Sequence, residues 1–162
     1  MSGAPAFVTG CDLVDIDRLA AAMARRPGLR RRVFTDRELA DAERDAPTLE
    51  VANARLAARF AAKEAARKAF DDLRLPFHAV EVRSNGSGAP ELLLDGSPCG
   101  LAVSLSHEAG VAMAVVVGPA TVRRRPAAAD DGPAGAEQLS GPEPLSDPEP
   151  QSDPDPLADT ER

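Results

Sequence analysis

The chain has 162 residues, the length of one domain of ordinary size. Its formal charge of −7 is uneven: the last 37 residues, from Pro126 onward, hold eight prolines, ten acidic side chains and a single Arg, whereas residues 1–125 are slightly basic. There is no run of about 18 apolar residues to cross a membrane and no charged segment followed by a long apolar run to read as a secretory signal. The two cysteines, Cys11 and Cys99, make neither a disulfide framework nor a zinc site.

These features predict a cytoplasmic protein with buried free thiols. With five Phe, no Trp and no Tyr, and a nearly neutral body, it lacks the stacking surface and charge of a nucleic-acid binder.

Phe7-Val-Thr-Gly-Cys11 reads as a short strand ending at a bend. From Asp15 to Ala24, the residues Ile16, Leu19, Ala20 and Met23 recur at helical spacing, and Pro27-Gly28 stops the helix. A basic cluster follows: Arg25, Arg26, Arg30, Arg31 and Arg32. Thr35-Asp-Arg-Glu38 has the pattern of a capping box and predicts a helix of about ten residues that Asp45-Ala-Pro47 breaks. Glu50 to Phe70, rich in Ala, Leu, Arg and Lys and free of Gly and Pro, predicts one long helix.

After Pro76 the period changes to two. Val80 and Val82 alternate with charged residues, Asn85-Gly-Ser-Gly88 is a turn, Glu91–Leu94 a strand and Asp95-Gly96 another turn. Leu101–Ser106 and Val111–Val117 are two further strands, joined by His107-Glu-Ala-Gly110. Helices followed by three or four antiparallel strands make the class α+β, with the long helix packed on a small sheet. Residues 1–125 are read as the folded domain. The tail, 126–162, repeats Ser-Gly/Asp-Pro-Glu/Asp-Pro every six residues and buries little apolar surface, so it is expected to be disordered.

The chain has only two lysines, Lys63 and Lys68, which bracket Glu64. Where Arg supplies the rest of the positive charge, a Lys kept in two places points to a need for a compact ammonium, one that unlike Arg can give up a proton. Glu64 and Lys68, four apart, share a helix face. One reading is a surface ion pair. The other is a carboxylate that holds a hard cation beside an ammonium that meets a phosphate. Asp12 stands at the end of the first strand, where it serves either as a cleft carboxylate or as the cap of the next helix, with Asp15 and Asp17 as rival caps. His107 is either a solvated turn residue or a phosphate contact.

Taken together, Gly10-Cys-Asp12-Leu-Val-Asp-Ile-Asp-Arg18, Arg59-Phe-Ala-Ala-Lys-Glu64-Ala-Ala-Arg-Lys68-Ala and Val103-Ser-Leu-Ser-His107, in that order, resemble the holo-acyl-carrier-protein synthase family. This is the small, trimeric branch of the 4′-phosphopantetheinyl transferases. Phe34-Thr35-Asp-Arg-Glu38-Leu is similar to the segment between the first two motifs. The resemblance runs from about residue 7 to 118 and leaves the tail out.

The resemblance implies a phosphopantetheinyl transferase-like fold and transfer of 4′-phosphopantetheine from coenzyme A to a serine of an apo acyl carrier protein, with adenosine 3′,5′-bisphosphate leaving. It implies Mg²⁺ between Asp12 and Glu64, Lys68 on the phosphates, Arg59, Lys63 and His107 as coenzyme A contacts, and Arg18 and Arg25 facing the carrier. Glu64 is also a candidate for deprotonating the serine, directly or through water. Sites in this family lie between subunits of a homotrimer. The sequence departs from the family pattern in three places. Phe70-Asp-Asp-Leu-Arg-Leu-Pro76 replaces a Gly-rich stretch, Gly88-Ala-Pro90 lacks the usual central Lys, and Arg67 stands where the residue is often small. Two rivals remain open at this level: a non-catalytic module that binds carrier protein or coenzyme A, and an interaction domain whose helix merely carries ion pairs.

Overall fold

The computed structural model describes residues 6–122; the expected disordered tail from residue 126 lies outside them. Strand β1 (Phe7–Asp15) leads into helices α1 (Ile16–Arg25), α2 (Gly28–Val33), α3 (Asp36–Glu43) and α4 (Leu49–Ala69). A turn of 3₁₀ helix, Phe77–Ala79, follows, then strands β2 (Val80–Ser84), β3 (Pro90–Leu94), β4 (Ser97–Pro98), β5 (Ala102–Glu108) and β6 (Val111–Pro119). The strands form two antiparallel sheets of three, ordered β1-β6-β5 and β2-β3-β4, instead of the single small sheet expected.

β1 runs four residues past the expected Cys11 because β6 pairs with its whole length, from Phe7 opposite Pro119 to Asp15 opposite Val111. α1 then starts where Asp15 accepts the Arg18 backbone N–H at 2.9 Å. That settles which aspartate caps the helix and leaves Asp12 free for the cleft. α3 begins in the expected capping box: Thr35 Oγ1 accepts from Glu38 N, and the Glu38 carboxylate accepts from Thr35 N. α2, which carries the last three arginines of the basic cluster, was not anticipated after Pro27-Gly28.

α4 lies across the β1-β6-β5 sheet through Ala57, Ala61, Ala62, Ala65, Ala66 and Ala69, all buried. Small side chains let the helix backbone approach closely, and Gly10 on β1 marks the closest point. A Cβ there would stand 1.9 Å from the Ala65 carbonyl oxygen. A second apolar cluster, Met23, Val33, Phe34, Ala42 and Leu56, ties α1, α2 and α3 to the front half of α4.

The other face of the sheet is open. Along β6, Ala112, Ala114 and Val116 are fully buried, whereas Val111, Met113, Val115 and Val117 are about 40 % exposed. Leu13 and Phe7 of β1 join that outer face. Cys11, opposite Val115, also points outward and is exposed, against the expectation of a buried thiol.

Candidate functional site

Gly10, Asp12 and Val14 alternate toward the helix side of the sheet. The close packing at Gly10 therefore carries Asp12 up to the C-terminal half of α4. There the Lys68 Nζ donates to Asp12 Oδ1 at 2.8 Å and to the Cys11 carbonyl at 2.9 Å. The ammonium of Lys68 is raised above its ordinary value, chiefly by its hydrogen bond to Asp12. One turn back, Glu64 accepts from Arg67 Nη1 at 3.1 and 3.2 Å. The anticipated i, i+4 pair between Glu64 and Lys68 is thus replaced by two others: Glu64 with Arg67, and Lys68 with a residue 56 positions earlier.

Asp12 and Glu64 line one cavity of about 440 Å³ between β1, α1 and α4, together with Asp15, Arg18, Arg25 and Phe60. Both carboxylates are partly exposed, Asp12 at 18 % and Glu64 at 22 %. Among the described residues no group of three or more His, Cys, Asp or Glu side chains converges on a metal position. Two carboxylates suit Mg²⁺, which takes one or two from protein and fills its remaining positions with water and phosphate oxygens. The donor set fits the ion that the sequence resemblance implies.

Arg59 faces a second cavity, of about 340 Å³, with Arg83, Ser84, Gly88, Val103 and Ser104. Its side chain is 8 % exposed, its Nη1 donates to the Arg55 carbonyl, and its Nε is buried without a hydrogen-bond partner. Burial opposes its charge, and Glu38 and Asp41 offset part of that. His107 sits on β5 opposite Ala112 and is exposed. It is a strand residue, not a turn residue, because Ala109-Gly110, with φ of 49° and 81°, alone makes the turn to β6.

Lys63 needs correcting. It was expected to touch coenzyme A, but its side chain is 0 % exposed. Its Nζ donates to Glu38 Oε2 at 2.8 Å, to the Phe77 carbonyl at 2.9 Å and to the Val80 carbonyl. Three protons meet three acceptors, and none is left for a ligand. Glu38 is equally enclosed, since its other oxygen accepts from Val82 N at 2.9 Å. The helical rotation of about 100° per residue separates Lys63 from Glu64. Lys63 therefore pins α4 to α3 and β2 while Glu64 faces the cavity.

Arg67 and Phe77 are the neighbours of the site that the sequence did not assign. The Arg67 guanidinium lies 4.6 Å from the Phe77 ring centroid, and that ring stacks on Phe60 at 5.4 Å. The only signal in the sequence was the bulk of Arg67 at a position that is often small.

Residues 9–116 match the 4′-phosphopantetheinyl transferase superfamily. A holo-acyl-carrier-protein synthase of Frankia casuarinae is 41 % identical over 120 residues, covering 67 % of this chain and 92 % of that one. Among solved structures, the Chronobacterium ammoniagenes ACPS–CoA complex superposes with a TM-score of 0.60 at 27 % identity, over 70 % of this chain and 96 % of that one. The Helicobacter pylori holo-acyl-carrier-protein synthase in complex with coenzyme A gives 0.56 at 26 %, over 67 % and 96 %.

Proposed function

The chain belongs to the 4′-phosphopantetheinyl transferase superfamily, and we propose that the cavity holding Asp12 and Glu64 is its reaction centre. The protein is a holo-acyl-carrier-protein synthase. It transfers 4′-phosphopantetheine from coenzyme A to a serine of an apo acyl carrier protein and releases adenosine 3′,5′-bisphosphate. The observation that carries the placement is the juxtaposition of Asp12 and Glu64 in one cavity with Lys68 bonded to Asp12, across 56 residues of sequence.

In this reading Asp12 and Glu64 hold Mg²⁺, which when bound neutralises charge on the pyrophosphate. Lys68 is an exposed ammonium bonded to the cavity-lining Asp12, 45 % accessible, and has one proton left to give a phosphate oxygen. There it steadies the charge that develops on the leaving phosphate, the kind of contact that carries most of the catalysis in phosphoryl transfer. Glu64, directly or through a water, takes the serine proton. Arg59 and its polar cavity meet the nucleotide end of coenzyme A, with His107 as a further contact. Arg18 and Arg25, on the wall beside the carboxylates, face the acidic surface of the carrier.

Arg59 and the two carboxylates line different cavities of one chain. Assembly as a homotrimer, with each site between neighbouring subunits, accounts for that separation. The exposed apolar stripe Val111, Met113, Val115 and Val117, with Leu13 beside it, supplies a surface to bury. A cytoplasmic location suits a cytoplasmic substrate such as coenzyme A.

The test is mass measurement of an apo acyl carrier protein after incubation with this protein, Mg²⁺ and coenzyme A. One added phosphopantetheine is expected, lost on adding a chelator and with Glu64→Ala. A gain that survives both would remove the metal and Glu64 from the mechanism. Light scattering should show three chains per particle, and Val115→Asp should reduce it to one.

A further inference from the structure

Both candidate metal ligands already have a cation on them. Lys68 occupies Asp12, and it is half exposed. Arg67 on Glu64 is different. Its side chain is 15 % exposed, its guanidinium is stacked on Phe77, and its Nε is enclosed without a partner. Phe77 is itself fixed, its ring against Phe60 and its carbonyl on the buried Lys63. The guanidinium is thus held in place by contacts independent of Glu64, and one nitrogen reaches both carboxylate oxygens.

We propose that Arg67 is a built-in counter-ion of Glu64 that stays when a divalent cation arrives, so that it weakens metal binding at the Asp12–Glu64 site and keeps the ion exchangeable. The proposal rests on the reading that Asp12 and Glu64 hold the metal. Two effects of Arg67 oppose each other. It orients the carboxylate, which favours a ligand, and it places a positive charge within a few ångströms of a second, doubly positive one, which disfavours it. A carboxylate oxygen has lone pairs to share between an N–H and a metal, so orientation survives without Arg67 being necessary for coordination. The charge term decides, because both groups are shielded from solvent for most of their surface.

The experiment is Mn²⁺ binding to the full chain, followed by the loss of the free-ion electron paramagnetic resonance signal, with no coenzyme A present. Arg67→Met keeps an apolar stem for Phe77 and removes the charge. It should bind Mn²⁺ about three- to tenfold more tightly than wild type, while Arg67→Lys, which keeps the charge, should stay close to wild type. Glu64→Gln calibrates the site and should lose the tight component, leaving only weak binding by the acidic tail.

If Glu64→Gln retains the tight component, the metal-site reading falls and this proposal with it. If Glu64→Gln loses it but Arg67→Met binds no more tightly than wild type, the metal site stands and the role of Arg67 is overturned. Equal tightening by Arg67→Lys overturns it too, because charge is then not the cause. Circular dichroism melts of each variant keep a folding defect from being read as a binding change.

Discussion

The two lysines of this chain sit five positions apart on one helix, and each is bonded to a carboxylate from another element. Lys63 and Glu38 are both fully buried, while Lys68 and Asp12 are 45 % and 18 % exposed. Lys63 spends every proton on the protein, on Glu38, Phe77 and Val80, and so locks the helix in register. Lys68 is half exposed and bonded to two oxygens, Asp12 Oδ1 and the Cys11 carbonyl, which leaves it one proton to give elsewhere. The same pair of charged groups is a structural fastening in one place and the proposed phosphate contact in the other. The difference lies in burial and in how many partners are already made, not in residue type.

Removing each ammonium in turn should give the largest difference between the two pairs. Lys63→Met strands the Glu38 carboxylate in the interior, and losing one partner of a buried pair costs about 3–5 kcal/mol. Urea unfolding should show that loss, with activity falling only as the folded fraction falls. Lys68→Met should leave stability within about 0.5 kcal/mol, as for exposed substitutions in general. Its turnover should drop roughly 10²- to 10³-fold, the cost typical of removing one charge-stabilising donor. If the two variants lose similar stability, the division between fastening and reactive group is wrong.

Gly10 tests what holds the reactive pair together. Gly10→Ala sets a methyl 1.9 Å from the Ala65 carbonyl, a backbone atom that cannot swing aside. The helix must lift from β1, and overpacking of this kind costs about 1–3 kcal/mol. Asp12 lies two residues along the same strand face, so the lift should also part Asp12 from Lys68 and Glu64. The expected result is a turnover loss in the fraction that stays folded, measured at a temperature well below the melting point. Normal turnover with reduced stability would separate the packing from the site.

The effect of pH on the Lys68 pair should be smaller. The hydrogen bond to Asp12 raises Lys68 above 10.5. A group whose folded value is raised contributes stability that is complete below its unfolded value and is lost as pH rises through the folded one. The stability difference between wild type and Lys68→Met should therefore be flat through the neutral range and shrink only above about pH 10.5. Lys68 is 45 % exposed, so solvent screening keeps the total change small. The activity profile near neutrality should carry no limb from Lys68. A profile without that limb would mean that the ability of lysine to lose a proton, which made its selective use suggestive in the sequence, has no part in the proposed site.

The helices and most strands were legible because local chemistry writes them. The capping box at Thr35 and the alanine-rich run to Phe70 each gave an element within a few residues. Asp12, Glu64 and Lys68 were recognisable through motif order, since nothing local shows that residue 12 meets residue 68. The misses were tertiary. Cys11 faces outward because the sheet turns that face away from α4, an orientation that an apolar run does not specify. Lys63 looked like a ligand because it sits in the motif, but its burial comes from Glu38 and β2, both distant in sequence. Arg67 was visible only as an oddity, because its meaning depends on Phe77, ten residues on and past the end of the helix.

The smallest expected effect concerns the basic wall of the cavity and the acidic tail. Arg18 and Arg25 line the cavity, and the neighbouring Arg30 is partly spoken for by Glu43 at 2.5 Å. The residues from 126 onward carry ten acidic side chains against one Arg, the same sign as the carrier surface that this wall is proposed to meet. If the tail competes for the wall, deleting residues 126–162 should raise apparent carrier affinity about two- to threefold at low salt, mostly through the association rate. The gain should fade as ionic strength shortens the reach of exposed charges to below about 10 Å. Arg25→Ala should weaken carrier binding and, in the same measurement, reduce the benefit of the deletion. A deletion that changes nothing at low salt would leave the tail without a part in carrier recognition, and the wall would then act on the carrier alone.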